Sequence, residues 1–544
     1  MAGDLRGIAG NPGVTGPGRA GFPAVASTAL RLTALMGPPL LAAAVAVGLT
    51  VATMLPGVAF WDTGEFQVVA PLMGTAHSPG YPTYVLLGWL ANLLLAPFGE
   101  PAFRLNMFSG LCVAAGAALI VVLVQRLTGR AMVGVAAGIG LAASPLAWRL
   151  GTHAEPHALH LAFVALLLVL LVGWELARTR QAIHADRWLV AAAAAFGLAD
   201  GNHSLTLLLA PSIGLYVLAV EPSIIRRPRL IVACVAAAAG ALALVYLELP
   251  IRAGILRAPL VYGRPDTWEG FWYIFFAQQF QGAVSGPLSD LPRKVADLVT
   301  LANQQLGVLA IFLPAAFIVT LGRYPRYALL TGLATVTTWL FSASYANADI
   351  SRYYMGPLLM AWTWLGILAG VAVEMVLDVA ARRSREHPGE TDRLARRGRP
   401  GQALALVLAG LLVLPTVLAI PGRYRQLDES GDVGAAIWVD AALDRIAQNA
   451  VVVSWWSYST PLWYATLVQG RRPDILVVDD RTMLDERLGE ATDVIGRYLG
   501  QRPVYVIRAN DHDLGLVRAR FTIQPGTGPA ANVYEVTGTV KQGS

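Results

Sequence analysis

Long apolar segments separated by short polar turns dominate the chain from about residue 34 onward. The apolar runs lie near 34–55, 104–124, 131–148, 157–177, 188–200, 203–220, 229–249, 303–321, 327–344, 354–379 and 402–420. Most of them approach or exceed the roughly 20 residues that an α-helix needs to cross a bilayer. The pattern predicts a polytopic α-helical membrane protein with about 11 transmembrane helices.

A further apolar run at 81–98 decides the orientation of every later helix. If it crosses the membrane, the arginine clusters at 126–130, 178–187, 226–229 and 323–326 lie outside, and if it lies in the outer interface, all of them lie inside. Because cytoplasmic loops carry the excess of Lys and Arg, the second arrangement is favoured. We therefore expect an interfacial or re-entrant helix at 81–98, a cytoplasmic N-terminus and an extracytoplasmic C-terminus in the cytoplasmic membrane.

The two ends of the chain differ from this membrane region. Residues 1–28 are rich in Gly, Pro and Ala and predict a disordered cytoplasmic tail. Residues 29–421 form the predicted transmembrane domain, with a first outer loop at 56–103. Beyond it, strand patterns at 451–456, 475–479 and 504–508, and shorter ones near Phe521 and Val533, alternate with helical segments. This alternation predicts a small extracytoplasmic α/β domain over 422–544.

Composition narrows the classes of partner. The chain is 55% hydrophobic and 14% charged, below the roughly 25% charge of a soluble domain. Its net charge of +6 comes mostly from the short basic runs between apolar segments, so it indicates membrane orientation and not nucleic-acid binding. The sequence has no Gly-rich phosphate-binding loop, so no nucleotide site is expected.

The first outer loop carries ionisable residues next to hydrocarbon. Asp62, Glu65 and His77 fall within residues 60–82, and such groups beside a bilayer are costly unless they serve a function. Asp62 and Glu65 are three residues apart, so both carboxylates face the same way on a helical turn and one of them can act as a general base. The alternative is that they only stabilise a helix start.

Three other polar turns are expected on the same outer face. They contain the candidate substrate-binding residues Glu155 and His157, Asn202 and His203, and Arg352 with Tyr353, which join His77 and Tyr81 of the first loop. His153 and His157 have the i, i+4 spacing of a metal-binding helix, but Pro156 between them indicates a helix start. Contacts to a substrate headgroup are therefore favoured, and a divalent metal remains a less favoured alternative.

Several of these motifs occur together in a known family. The chain resembles the bacterial members of the family catalogued as domain of unknown function 2723, which is related to the endoplasmic-reticulum protein O-mannosyltransferase and belongs to the GT-C superfamily of glycosyltransferases. The resemblance is carried by DTGEF at 62–66, AHSPGYP at 76–82, RLN at 104–106, AE at 154–155, LH at 159–160, GNH at 201–203, Tyr464 and RPD at 472–474. Ser78 and Pro156-His157 depart from the usual family pattern.

The resemblance implies a GT-C-like fold and an inverting hexosyltransferase. The donor would be a polyprenyl-phosphate-linked sugar such as mannose, and the acceptor a hydroxyl of a protein or glycan, with protein Ser or Thr favoured. Asp62 would be the base or would orient the acceptor, and Arg352, with His77 or His203, would hold the leaving phosphate. No cofactor is expected beyond this lipid-phosphate-sugar substrate.

Two other functions remain open from the sequence. A transporter or flippase of lipid-linked substrates would place its polar residues near the bilayer midplane and often repeats its two halves, whereas the candidates here share one face. A non-catalytic assembly protein would tolerate the loss of Asp62. The aromatic residues at 455–464 fit either stacking on a sugar or the core of the C-terminal domain.

Overall fold

The computed structural model describes residues 22–386 and 400–540. Helix α1 begins at Phe22, inside the stretch predicted as a tail, and the rest of that predicted tail, 1–21, lies outside the described residues. The helices of the membrane region are α1 Phe22–Ala52, α2 Trp61–Leu72, α3 Pro82–Leu94, α4 Pro101–Thr128, α5 Ala131–Ala142, α6 Pro145–Leu150, α7 Pro156–Thr179, α8 Ala185–Asn202, α9 Ala210–Val220, α10 Pro228–Tyr246, α11 Glu248–Pro250, α12 Trp268–Phe275, α13 Leu291–Leu306, α14 Leu313–Arg323, α15 Pro325–Ser342, α16 Met355–Glu386 and α17 Pro400–Leu427.

Within the described residues, six helical stretches are long and apolar enough to cross a membrane. They are Pro101–Thr128, Pro156–Thr179, Pro228–Ile255, Leu291–Arg323, Ile350–Arg382 and Gly401–Leu427. The multi-pass membrane architecture is therefore confirmed, and the number of about 11 spans stays a prediction. Two of the other predicted runs contain helix breaks: α5 ends after 12 residues before Pro145, and a 3₁₀ turn at Ser204–Leu209 precedes α9.

Helix α3 occupies the ambiguous apolar run. It has 13 residues, which gives a length of about 20 Å at 1.5 Å per residue, less than a hydrocarbon core of about 30 Å. Tyr84 and Val85 are buried, whereas Leu93 and Leu94 are exposed. A short helix with one buried face is what the interfacial assignment of this run predicts.

Helix α4 lies at the centre of the membrane region and packs against α1, α5 and α7. Its contact with α5 depends on small residues. A Cβ on Gly138 would lie 2.6 Å from the carbonyl oxygen of Ala117, and one on Gly134 would lie 2.8 Å from that of Val121. Close backbone approach through small residues is a usual way for membrane helices to pack without a water-driven hydrophobic effect.

The C-terminal part is a small α/β domain, as the strand pattern predicts. Its elements are α18 Gly434–Arg445, β1 Val451–Ser454, α19 Trp456–Trp463, β2 Leu476–Asp479, α20 Asp480–Asp485, α21 Ala491–Tyr498, β3 Val504–Val506, α22 Asp511–Arg518, β4 Phe521–Gln524 and β5 Tyr534–Thr539. The sheet order is β2-β1-β3-β5-β4; β1 pairs in parallel with β2 and β3, and β5 runs antiparallel to β3 and β4.

The loop between α11 and α12 joins the α/β domain to the helices. The hydroxyl of Tyr262 donates to Oδ2 of Asp479 over 3.1 Å, and the amide of Gly263 donates to Oδ2 of Asp485 over 2.7 Å. On the other side of the domain, the amide of Ala102 at the start of α4 donates to the hydroxyl of Tyr464 over 3.1 Å. These bonds join the carboxyl end of β2 and the segment around Tyr464 to the loop after α11 and to the start of α4.

Candidate active site

A cavity of about 1010 Å³ lies between the helix ends and the α/β domain. Its walls come from residues 61–81, the turns before α7 and after α8, the loops at 276–284 and 345–353, and the carboxyl edge of the sheet. Ligand sites are usually about 300–1,000 Å³, so the space fits a substrate of considerable size. The polar turns that were expected on one face of the membrane meet at this cavity.

Arg352 connects two carboxylates on the cavity wall. Its Nη2 lies 2.9 Å from Oδ2 of Asp62, in the first turn of α2, and its Nη1 lies 3.2 Å from Oε2 of Glu155, just before α7. The guanidinium side chain is 15% exposed and that of Glu155 is 4% exposed. The Nε of Arg352 is buried, and this donor of the cation has no hydrogen-bond partner among the described residues.

Glu155 is held ionised by its neighbours. Its Oε1 lies 2.6 Å from Nδ1 of His157 and also accepts the backbone amide of His157. Burial alone would raise the pKa of Glu155, but Arg352 and His157 together hold that pKa well below its ordinary value. Glu155 is therefore an anion at neutral pH that orients Arg352 from behind.

Asn106 of α4 fixes the loops that carry these carboxylates. Its Nδ2 donates to the carbonyl of Leu55 over 2.9 Å, and its Oδ1 accepts both Nε2 of Gln67 and the amide of Ala154 at 2.9 Å. Ser109, one turn further along α4, accepts the amide of Glu155 over 2.9 Å. The first outer loop and the turn before α7 are thus tied to one rigid helix.

His77 forms a second cation on the wall. Its Nδ1 lies 2.7 Å from Oε2 of Glu65, and its backbone amide donates to the other oxygen of Glu65 over 2.6 Å. Burial would lower the pKa of His77, but the charge and hydrogen bond of Glu65 outweigh it and raise that pKa to about 9. The hydroxyl of Tyr81 lies 3.3 Å from the remaining ring nitrogen. His77 is therefore protonated at neutral pH.

Seven of the ten predicted site residues line the cavity. They are Asp62, His77, Tyr81, Glu155, His203, Arg352 and Tyr353. The ring of His203 lies 5.5 Å from that of Tyr81 and 5.5 Å from that of Tyr353, and its Nδ1 accepts the amide of Leu205.

The other three predicted residues lie behind the wall. Glu65 is fully buried because helix α2 turns it inward toward His77, so it does not share a surface with Asp62. His157 is buried against Glu155, and Asn202 donates to the carbonyl of Pro156 over 3.1 Å and so ties the end of α8 to the start of α7. These three residues are not part of the cavity lining, and their predicted roles stay predictions.

Several cavity residues were not among the predicted site residues. Trp61, Tyr262, Phe280, Trp456, Asp480 and Arg481 all line the cavity. The aromatic residues at 455–464 fit stacking on a sugar, but they fit the core of the C-terminal domain equally well. Asp480 and Arg481 follow β2 and look like ordinary surface charges in the sequence.

Among the described residues, no group of three or more His, Cys, Asp or Glu side chains is arranged to hold a metal ion. His153, which the sequence paired with His157, instead lies with its Nδ1 3.3 Å from Oε2 of Glu429. The two carboxylate oxygens of Glu155 are already paired, one with Arg352 and the other with His157.

Part of the chain matches a known protein family. Residues 62–225 match the model described as the protein O-mannosyl-transferase TMEM260 N-terminal domain. Over 496 residues, 86% of this chain, the sequence is 30% identical to protein O-mannosyl-transferase TMEM260 of Mus musculus, of which the match covers 66%, just under two thirds. A second relative, protein O-mannosyl-transferase tmem260 of Dictyostelium discoideum, is 27% identical over 168 residues, 29% of this chain and 20% of that protein.

Solved structures share the fold at low sequence identity. ArnT from Cupriavidus metallidurans, bound to undecaprenyl phosphate, matches with a TM-score of 0.57 at 16% identity and covers 91% of this chain and 97% of its own. The oligosaccharyltransferase of Archaeoglobus fulgidus in the apo form matches with a TM-score of 0.51 at 13% identity, over 90% of this chain and 73% of its own.

Proposed function

Because this chain is related to the protein O-mannosyl-transferases and has the fold of GT-C glycosyltransferases, we propose that it is a membrane glycosyltransferase. It transfers a sugar, mannose, from a polyprenyl-phosphate carrier to a hydroxyl of an acceptor, a Ser or Thr of a protein, with inversion at the anomeric carbon. The observation that carries this proposal is the cavity in which Asp62, Arg352 and His77 meet.

The cations serve the leaving group. In the transfer, the bond between the anomeric carbon and the phosphate oxygen breaks, and its electron pair stays on the phosphate. The guanidinium of Arg352 lines the cavity, and the protonated His77 adds a second positive charge on the same wall. Fixed cations placed where negative charge develops stabilise the transition state without reorganising.

Asp62 serves the acceptor. The hydroxyl oxygen forms the new bond to the anomeric carbon, on the face opposite the phosphate, and its proton passes to a carboxylate oxygen of Asp62. The side chain of Asp62 is 25% exposed at the cavity, so an incoming hydroxyl can reach it. Geometry of this kind is the first requirement for a general base.

Arg352 links the two halves of the reaction. It bonds to Asp62 over 2.9 Å, and Glu155 holds its other nitrogen. A donor phosphate that binds Arg352 competes with Asp62 for the guanidinium, and this competition releases the carboxylate of Asp62 for the acceptor hydroxyl. The second carboxylate, Glu155, keeps the guanidinium in place during this exchange.

The membrane setting explains the form of the donor. A carrier with a hydrocarbon tail brings the sugar to a site at the ends of membrane helices, and in the related ArnT fold a structure with undecaprenyl phosphate is known. We place the site on the outer face of the cytoplasmic membrane, with the N-terminus inside, because this arrangement puts the arginine clusters in the cytoplasm.

The test is transfer of radiolabelled mannose from synthetic polyprenyl-phosphate mannose to a Ser/Thr-containing peptide by the purified full chain. Asp62→Asn is expected to lower turnover by about 10²–10⁴-fold, because the amide cannot accept the proton. Asp186→Asn is the matched control, since Asp186 pairs with Arg227 and does not line the cavity. Equal turnover in wild type and Asp62→Asn would refute the role of Asp62. Parallel reactions with a chelator show whether a divalent metal takes part.

A further inference from the structure

The carboxyl ends of three parallel strands of the α/β domain converge at the cavity. Trp455 and Trp456 follow β1, Asp480 and Arg481 follow β2, and Arg508 comes just after β3. All except Arg508 line the cavity, and Arg508 pairs with Asp480. In open α/β sheets, ligands bind in the crevice outside the carboxyl ends of the parallel strands. This edge of the domain is therefore a binding surface and not only a support.

Trp456 is the residue of this edge that lies beside the proposed phosphate site. Its ring centroid is 6.1 Å from that of His77 and 6.2 Å from that of Trp61. Phe280 also lines the cavity, and its ring centroid is 6.2 Å from that of His77. The side chain of Trp456 is only partly buried, so part of its indole faces the open space. An apolar ring face thus borders the place where the donor phosphate would sit.

Polar groups follow β2 and β3, the two strands that pair with β1. Asp480 is 36% exposed and one of its oxygens pairs with Arg508, whose side chain is 9% exposed. One Nη of Arg508 is buried without a partner among the described residues. Arg481 is held by both oxygens of Asp485 and by the hydroxyl of Tyr273. The edge therefore combines an aromatic platform with a rigidly held carboxylate.

We propose that Trp456 and Asp480 form the subsite for the sugar of the donor, with the sugar ring stacked on the indole and its hydroxyls bonded to the carboxylate. This inference rests on the proposed function. The anomeric carbon is joined to the phosphate through a single oxygen, so the sugar ring must lie beside the groups that hold the phosphate. Trp456 borders His77, which places the α/β domain in control of which sugar is accepted.

The test measures binding and needs no turnover. The affinities of the full chain for polyprenyl phosphate and for polyprenyl-phosphate mannose are compared in a scintillation proximity assay with radiolabelled lipids. This assay does not rely on tryptophan fluorescence, so replacing Trp456 does not change the readout. Wild type is expected to bind the mannosylated carrier more tightly. Trp456→Ala and Asp480→Asn are each expected to weaken binding of the mannosylated carrier about tenfold and to leave binding of the bare carrier unchanged. Trp456→Phe, which keeps an aromatic face, is expected to lose less.

Two controls keep the result interpretable. The amide of Asp480→Asn retains an oxygen for Arg508, so the fold of this edge is preserved. Asp440→Asn removes an exposed carboxylate of the same domain that pairs with Arg471 and does not line the cavity, and it is expected to change neither affinity. If Trp456→Ala and Asp480→Asn keep the wild-type preference for the mannosylated carrier, the subsite is refuted. If wild type binds neither carrier, the lipid-phosphate donor of the proposed function is refuted, and the subsite with it.

Discussion

Replacing Glu65 by Gln separates the charge of His77 from the shape of its surroundings. Glu65 is fully buried, contacts both the ring and the amide of His77, and does not line the cavity. Gln has nearly the same volume and keeps an oxygen that can accept the amide of His77. The substitution therefore removes the negative charge and leaves the packing of the loop close to that of wild type.

The structure gives the size of the effect. The pKa of His77 is raised from 6.5 to about 9, and each unit corresponds to about 1.4 kcal/mol, so the protonated pair contributes roughly 3 kcal/mol to folding. Because the pKa in the folded state is raised, this contribution is fully present below pH 6.5 and is lost as the pH rises through about 9. In Glu65→Gln, burial is left unopposed by the carboxylate, and His77 is expected to be neutral at pH 7.

Two measurements report the protonation state of His77. Chemical unfolding in detergent from pH 6 to pH 10 is expected to show wild type more stable than Glu65→Gln by roughly 3 kcal/mol at the acid end, with the difference shrinking toward pH 10. In the transfer assay, the alkaline limb of wild-type kcat/KM is expected near pH 9, and that of Glu65→Gln below pH 7.

The matched control is Glu429→Gln, which alters another histidine–carboxylate pair, that of Glu429 with His153, whose side chain lines the cavity. It is expected to leave the alkaline limb near pH 9. A stability difference between wild type and Glu65→Gln that stays constant from pH 6 to pH 10 would contradict the reasoning, because it would mean that Glu65 acts through packing and not through the charge of His77.

Three further substitutions test other parts of the site. Arg352→Gln leaves the buried Glu155 without its cation, so it is expected to cost about 3–5 kcal/mol of unfolding free energy and to abolish donor binding. Arg352→Lys keeps the positive charge but lacks the planar guanidinium, so it is expected to restore stability better than donor binding. Asn106→Ala leaves two loop contacts unpaired and is expected to lower stability by about 3 kcal/mol, measured by chemical unfolding. Gly80→Ala is expected to lower the melting temperature, because Gly80 has a φ of +85° and a Cβ there would lie 2.8 Å from Ile274. Gly214→Ala in α9 is the control, because a Cβ at Gly214 meets open space and alanine favours a helix, so it is expected to be neutral or stabilising.

The sequence predicts the arginine and the two carboxylates that meet at the cavity, because charged residues beside long apolar segments are uncommon and easily identified. Asp62, Glu155 and Arg352 each follow or precede a long apolar run, and the orientation of the helices places all three on one face. Their side chains do meet in the structure, within 3.2 Å of one another through Arg352. Spacing along a membrane helix and the location of charge were enough to bring them together.

Which way each side chain points depends on packing that the sequence pattern does not contain. Asp62 and Glu65 share a helical face by spacing, yet α2 lies in the wall with Asp62 toward the cavity and Glu65 toward His77. The sequence also does not predict that the α/β domain contributes to the cavity. Trp456 and Asp480 reach the cavity because the sheet packs against the loop that carries Tyr262. The number of about 11 spans stays a prediction, because apolar runs such as 131–148 fold as two helices that meet at Pro145.

The most direct test of the account is the anomeric configuration of the product. A single turnover of the purified chain with polyprenyl-phosphate mannose of known configuration and a Ser/Thr peptide yields a glycopeptide whose anomeric proton can be assigned by NMR. A single displacement with Asp62 as the base predicts inverted configuration in all of the product. Retained configuration would contradict it, because it requires two displacements and a covalent sugar on a carboxylate of the enzyme.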